Sequence, residues 1–535
     1  MTIENQFEER EDGEETALIS DIDENAGSDC TIDSHDLISS IDDIVENIDV
    51  GLFHFLIILS CGLCYGGYNV YFQAMGYIII SACDLDINIS NRGWLSLSMM
   101  ISLTLSVGIF GRLADAYGRR KILLFSLTIN LIAMLLSAFA YNYNMLVILA
   151  AIIGCSHAGL LATIYNYLME FFPRQYRGIA GACMSSFLIF ESLLGSTVAF
   201  FTLPHPFYKI GGIYFSSWRL YLIIVMIPTL IGYCILLFLP DSLRFTLAKS
   251  ERKKAEFVLK KINRINSCSK CRNDLHKQYA LPLTSLHPRA SNRKENNSKT
   301  SRFRHELEHF RFFGKQPWLR RLLLLSVGWF GFCFGDQGFS IWLPSAVSYY
   351  TSGKTCWHSH QHVHNISHSA MHSLHLNSSA CQNGERLKTV IIDILIGNLL
   401  SLPVAIGCLL LINRVGRKWL YFPMITICAL SILLMVVIDN VYGALILGCV
   451  FTSISNNAWI PYKTWSAELF PTKVRSTSTG ILNIVGHTGS ILGMTTFAVL
   501  FNKNCTATLI IFSLLGLLSG FTALFLPDTT NFDIN

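Results

Sequence analysis

"GRLADAYGRRK", residues 111–121, places four cationic side chains, Arg112, Arg119, Arg120 and Lys121, between two apolar runs at 93–113 and 121–140. Each run has about the 20 residues that a helix rising about 1.5 Å per residue needs to cross the hydrocarbon of a bilayer. The pattern returns: "GRR" at 118–120 is answered 298 residues later by "GRK" at 416–418, again between apolar runs, 389–412 and 418–438. "EFFPRQYR" at 170–177 is answered by "ELFPTKVR" at 468–475 with the same offset, and "LPDS" at 239–242 returns as "LPDT" at 526–529, offset 287. Offsets this regular predict a duplicated chain, two parallel repeats of the kind that clasp a site between them.

The composition agrees. With 535 residues, 51% hydrophobic and 14% charged, the chain is too apolar to bury its surface in a water-soluble core, and the bilayer becomes the expected solvent. Besides the four runs above, apolar stretches occur at 51–72, 145–168, 179–202, 218–239, 321–348, 441–462, 477–500 and 506–526, which makes twelve. They are continuous rather than alternating, which excludes a membrane β-barrel and predicts an all-α polytopic membrane protein of twelve transmembrane helices in two pseudo-symmetric six-helix bundles. The expected organisation is a cytosolic tail at 1–49, bundles at 50–240 and 321–528, a central cytosolic segment at 241–320 and a short cytosolic tail at 529–535.

No apolar segment opens the chain, so no cleavable signal peptide is expected and the first span directs insertion. Residues 1–49 hold 17 Asp or Glu against one basic residue, Arg10. Such a tail is expected to be disordered and solvated, and Ser20, Ser28, Ser39 and Ser40 beside its acids are candidate phosphorylation sites. The basic turns at 112–121 and 413–418 contrast with nearly bare turns on the other side, which places both termini and the central segment in the cytosol. Residues 240–320 carry 20 of the 41 Lys and Arg side chains, a basic surface suited to anionic inner-leaflet lipid rather than nucleic acid. "ERKKAEFVLKKINRI" puts Ala255, Val258, Leu259, Ile262 and Ile265 on one helical face, and it and "RHELEHFRFFGKQPWLRR" read as interfacial helices. Cys268 and Cys271 form one CxxC with no second ligand pair nearby, so no zinc site is expected.

The same rule places residues 349–388 outside the cytosol. Within them Asn365 and Asn377 begin glycosylation sequons, Cys356 and Cys381 are positioned to close a disulfide worth about 3 kcal/mol, and His360, His364, His368 and His372 recur every four residues. Asn88 and Asn504 begin sequons in other outer loops. The histidines leave three readings open: a solvated low-complexity loop, a zinc or copper site, or a sensor of lumenal acidity. The glycan inside the segment and the absence of acidic co-ligands favour the first, and no cofactor is expected.

"GRLADAYGRRK", "EFFPRQYRG" and "LPDSLRFTL" resemble the signature segments of the major facilitator superfamily, in its sugar-porter and organic-ion branch, over residues 50–528. "GFSIWLP", the large outer loop after it, "WRLYLIIVMIPTL" and "NNAWIPYKTWSAELFP" resemble the synaptic vesicle glycoprotein 2 family. The resemblance implies that Gly111, Asp115, Gly118, Arg119, Arg120, Glu170, Arg177, Glu468 and Arg475 form a conformational switch. Asp115 is placed to cap a helix or pair with Arg119 in one arrangement of the halves. Gly489 and Gly493 form a small-x3-small pair that lets helices approach.

Ionisable groups inside a membrane are costly and nominate the solute path. Asp336 and Glu191 lead, then Asp393 and Lys463, although Glu191 also reads as interhelical packing and Lys463 as a side chain reaching for the cytosolic surface. Tyr65, Asn69 and Gln337 add polar contacts near the midplane, and by resemblance Trp342 and Trp459 line the pocket. The chain departs from its apparent relatives at Gly66 and Asn69, where acids are common, at Lys463 in place of an acid, at Ala116 and Asn413 in the two signature turns, and in "LAAIIGCSHAG", which lacks an arginine. His54, His157 and His487 read as isolated packing residues.

The expected function is a transporter moving a small polar or charged organic solute by alternating access. The alternative is a synaptic-vesicle-glycoprotein-like protein with little transport and trafficking partners on its cytosolic tail. No hydrolase, nucleophile-elbow or phosphate-loop motif points to an enzyme. The expected location is a plasma or secretory-vesicle membrane.

Overall fold

The computed structural model describes residues 50–528 except 83, 86–90, 92, 206, 211–212, 243–245, 247–251, 267–315, 317, 352–355, 357–383, 413, 439, 471 and 502. The acidic tail, the CxxC, the sequons at Asn88, Asn365 and Asn377, Cys381 and the four spaced histidines lie outside the described residues. In chain order the elements are α1 (Leu52–Ser81), α2 (Trp94–Tyr117), α3 (Arg119–Ala138), α4 (Tyr143–Met169), α5 (Arg174–Thr202), β1 (Phe207–Ile210), β2 (Ile213–Ser216), α6 (Ser217–Phe238) and α7 (Arg252–Asn266), followed by α8 (Trp318–Ser340), α9 (Leu343–Thr351), α10 (Gly384–Leu411), α11 (Arg417–Val437), α12 (Val441–Glu468), α13 (Thr472–Leu500) and α14 (Cys505–Leu524). Among the described residues, eleven helices are long and apolar enough to cross a membrane. The remaining span is α13, whose 29 residues carry Asn483, His487, Thr488, Ser490, Thr495 and Thr496 among its apolar positions. The twelve expected spans are therefore all helical, and β1 pairs with β2 as an antiparallel hairpin that hydropathy did not announce.

The described residues fall into two compact units. The smaller joins the start of α1, the α4–α5 turn and residues 240–320. Here α7 buries Ala255, Val258, Leu259 and Ile262, one helical stripe, and leaves Lys254, Lys260 and Arg264 exposed. Its last residue, Asn266, accepts from the Phe53 amide at 2.9 Å, and His54 Nε2 lies 3.1 Å from the Phe171 carbonyl.

The larger unit contains the rest of the spans, and its turns explain the repeat. Gly118 and Gly416 both have positive φ, 101° and 100°, a conformation in which a Cβ is strained. Each glycine reverses the chain from one membrane helix into the next. Two residues after each, a cation satisfies helix-end carbonyls: Arg120 donates to Leu237 at 2.9 Å, and Lys418 to Leu524 and Leu526 at 2.9 and 2.8 Å. The last carbonyls of a helix have no partner in the helix and carry its negative dipole end, so the pairing is favourable twice over. Arg417 also pairs with Glu468 at 3.0 Å.

The seventh span, expected as one run at 321–348, is broken into α8 and α9 at Ile341–Trp342. Pro344 has no amide hydrogen for the Ser340 carbonyl, so the regular ladder cannot pass this point. The Trp342 amide instead closes a tight turn on Phe339 at 3.0 Å. A Cβ on Gly76 of α1 would come within 2.6 Å of the Ile341 carbonyl, so only glycine there admits the broken segment.

At the ends of the spans opposite the Gly118 and Gly416 turns the two halves are held differently. Asp84 accepts from the Trp218 indole at 2.5 Å and from Arg219 at 2.8 Å, and Arg219 also reaches the Ala138 carbonyl at 3.1 Å. Burial pushes the Asp84 carboxyl up, but the hydrogen bonds from Arg219, Trp218 and Ser216 and the Arg219 charge outweigh it and hold the group below its usual value. In the second half Cys356 forms a disulfide with Cys505, the first residue of α14. This corrects the pairing of Cys356 with Cys381 expected from the loop sequence. Helix packing brings the end of α9 to the start of α14, where Thr506 donates to the Cys356 carbonyl at 2.8 Å and Tyr350 to Met435 at 2.7 Å. Asn504, read as a sequon, caps α14 by accepting from Ala507 at 2.9 Å.

Candidate functional site

Gly489 and Gly493 on α13 lie where added Cβ atoms would meet the Phe330 and Phe334 carbonyls of α8, and Gly338 of α8 faces Gly493 in return. The small residues let the two backbones touch. This close approach sets Ser490 against Gln337, whose Oε1 accepts from the Ser490 hydroxyl at 2.7 Å. Tyr68 of α1, from the first half, lies within electrostatic reach of the Gln337 side chain.

One residue earlier on α8, Asp336 is 8% exposed. Its Oδ2 accepts from the indole N–H of Trp459 on α12 at 2.8 Å, and Ser340 lies at 3.5 Å from Oδ1. Trp459 is wedged edge-on between Trp329 and Phe332, with ring centres 4.9 and 5.0 Å away. Trp329 stacks on Tyr462 at 4.2 Å, and Tyr462 is itself tied to the Leu325 carbonyl at 2.6 Å. Asp336 and these rings thus hold the Trp459 indole in one orientation. Above that ring, at 5.1 Å from its centre, sits the Lys463 ammonium. Lys463 is exposed, although Tyr165 of α4, His487 of α13 and Cys333 of α8 are within electrostatic reach of it. Tyr65, 8% exposed, interacts with both Tyr165 and Tyr68.

A second polar line joins the halves. Asn69 of α1 donates to the Ser192 hydroxyl of α5 at 2.6 Å. Asn398 of α10 donates to the Ser192 carbonyl at 3.2 Å and the Ser196 hydroxyl at 3.1 Å, and accepts from Asn456 of α12 at 3.1 Å. Glu191, beside this hub, is fully buried, and neither carboxyl oxygen has a hydrogen-bond partner among the described residues. Its stem fills the space that a side chain on Gly66 would need.

Of the residues nominated from the sequence, Asp336, Gln337, Trp459 and Lys463 converge, with Tyr65 beside them, and Asn69 joins the polar line. Trp342 does not join them: its ring stacks on Phe497 at 5.5 Å, and its N–H has no partner among the described residues. Asp393 is buried at 3% exposure and accepts from the Cys449 thiol at 3.1 Å. His157, between Tyr68 and Tyr71, is a buried packing residue. Of the switch residues, Gly118, Arg120 and Glu468 make the turn contacts above, Arg177 donates to Phe172 at 3.0 Å, and Gly111 stands in open space. Arg119 is half-buried and Glu170 is buried. The side chains of Asp115 and Arg475 lie outside those described. Sequence reasoning missed Tyr68, Ser192, Asn398, Asn456 and Ser490. Of these, the amides at 398 and 456 had a signal, since uncharged polar groups inside apolar spans also demand partners.

Compared with known proteins, the chain matches the family model of the Major Facilitator Superfamily over residues 55–357 and 391–532. Human synaptic vesicle glycoprotein 2B is 23% identical over 595 aligned residues, covering 93% of this chain and 86% of that protein. The niacin transporter NiaP of Acinetobacter baylyi is 23% identical, covering 85% and 88%. Among solved structures, the partially occluded inward-open xylose transporter XylE of E. coli superposes with a TM-score of 0.61 at 16% identity, over 89% of this chain and 100% of that one. A crystal structure of a D-xylose–proton symporter gives 0.60 at 16% identity, over 90% and 99%.

Proposed function

The chain belongs to the major facilitator superfamily and is a multi-pass membrane transporter that moves a small polar solute by alternating access; from that premise we propose that the solute binds at the Trp459–Lys463 face. One observation carries the reading: the halves meet beside this face, where Asn398 of the second half donates to Ser192 and Ser196 of the first and accepts from Asn456, one turn before Trp459 on α12. A group held by both halves at once is what a ligand needs if its binding is to bias one arrangement over another. Niacin and xylose, named for the relative and the structural neighbour, are organic molecules of a size suited to such a site. Tyr65, Asn69, Glu191 and Trp342 border the path in this reading.

Residues 50–240 and 321–528 are the two moving halves, and the conserved geometry of the Gly118 and Gly416 turns supports their equivalence. The basic turns support a cytosolic position for both termini, in a plasma or secretory-vesicle membrane. A trafficking role through the acidic tail has no support among the described residues.

The test is uptake into liposomes holding the purified chain. A panel of small radiolabelled organic solutes is expected to include one that accumulates, and Trp459→Ala is expected to abolish that uptake. Accumulation unchanged in Trp459→Ala moves the site elsewhere.

A further inference from the structure

We infer that this site takes an organic anion: a small, flat carboxylate that lies against the Trp459 indole and places its charge on the Lys463 ammonium. The inference rests on the site proposed above and gives its chemical class.

Lys463 follows Trp459 by four residues, so the two stand one turn apart on the same face of α12. A lysine near a helix end often extends to the water layer. This one instead holds its ammonium over the indole, and the groups that sense it come from α4, α8 and α13, three different helices of the interior. No carboxylate or carbonyl oxygen pairs with it among the described residues. Asp336 is already committed: it is buried and receives the Trp459 N–H. Glu191 is fully buried beside Gly66 of α1, and Asp393 is paired with Cys449. The exposed ammonium is thus open to an incoming carboxylate, which supplies a counter-charge through a charge-assisted hydrogen bond.

The surroundings set the shape of the rest of the solute. Trp459 packs against Trp329 and Phe332 but remains partly exposed, and an exposed aromatic surface favours a flat ring over a branched chain. Tyr165 and His487 offer hydrogen-bonding groups at the rim. Asp336 here is a positioning residue that holds the indole from its far side.

The experiment compares nicotinate and benzoate with nicotinamide and benzylamine, by melting temperature of the purified full-length chain and by uptake into liposomes. The two carboxylates are expected to stabilise the protein and to accumulate, and the amide and amine to do neither. Lys463→Gln is expected to weaken carboxylate binding about 10- to 100-fold, as loss of a charge-assisted bond implies. Lys463→Arg retains binding, and an unliganded melting temperature close to that of the parent shows that each variant is folded. Equal carboxylate affinity in Lys463→Gln overturns the inference. So does stabilisation by the amide or amine without the carboxylates, an outcome that leaves solute transport through this site standing. If none of the four probes binds, the anion assignment falls. The site itself falls with it only if the wider panel shows no uptake that depends on Trp459.

Discussion

The two halves of this protein are alike at the Gly118 and Gly416 turns and unlike at the opposite ends of their spans and around Trp459. Gly118 and Gly416 share a backbone conformation, and Arg120 and Lys418 perform the same task at the ends of α6 and α14. At the opposite ends the first half is held by the charges of Asp84 and Arg219, the second by a covalent bond from Cys356 to Cys505. On the inner face the first half contributes tyrosines and Asn69, whereas the second contributes the Asp336–Trp459–Lys463 arrangement. Helix-end carbonyls and chain reversal impose the same demand in both copies, so the same residue types answer it. No such common demand acts on the opposite ends or on the inner face.

The largest expected effect tests the opposite ends. Cys505→Ser should cost about 2–4 kcal/mol of stability by loss of the cross-link, read as a lower melting temperature, whereas Cys381→Ser should leave it unchanged. A destabilised Cys381→Ser with a normal Cys505→Ser would restore the local pairing. Next comes the inner face: Asp336→Ala strands the Trp459 N–H, at a cost of about 1–3 kcal/mol, and uptake should fall about 10- to 100-fold by the same arithmetic. Asp336→Asn keeps an acceptor and should fall less.

The likeness of the turns is tested by Gly118→Ala and Gly416→Ala, each expected to lose about 1–2 kcal/mol through the positive φ. A large inequality between the two would break the comparison. Arg120→Met and Lys418→Met should each cost about 1 kcal/mol, again equally. The smallest effect belongs to Asp84. Its folded-state value lies below its unfolded one, so its contribution is complete above the ordinary carboxylate range and disappears as pH falls through the depressed folded value. Asp84→Asn should remove that acid-side decline in melting temperature, with a loss near neutral pH of about 0.2–1 kcal/mol, since the pair is partly solvated.

Much of the fold was legible because it repeats locally. Apolar runs of bilayer length and matched turns 298 residues apart gave the twelve spans and the duplication, and the stripe through Ala255, Val258, Leu259 and Ile262 gave α7. Intramembrane polarity nominated Asp336, Gln337 and Lys463 one by one, and resemblance nominated Trp459. It did not reveal that Asp336 serves the indole while Lys463 pairs with no acid among the described residues, because that depends on which faces of α8 and α12 meet.

By itself the sequence determined what each segment is: which stretches enter the bilayer, where they turn, and that the chain is written twice, since these follow from hydropathy and backbone chemistry within a few residues. Only the tertiary structure decided who meets whom. Cys356 joins a residue 149 positions away, Asp336 one 123 positions away, and Ser192 links α1 to α10. Such pairings are set by the rotation and register of packed helices, to which the order of residues along one helix is blind.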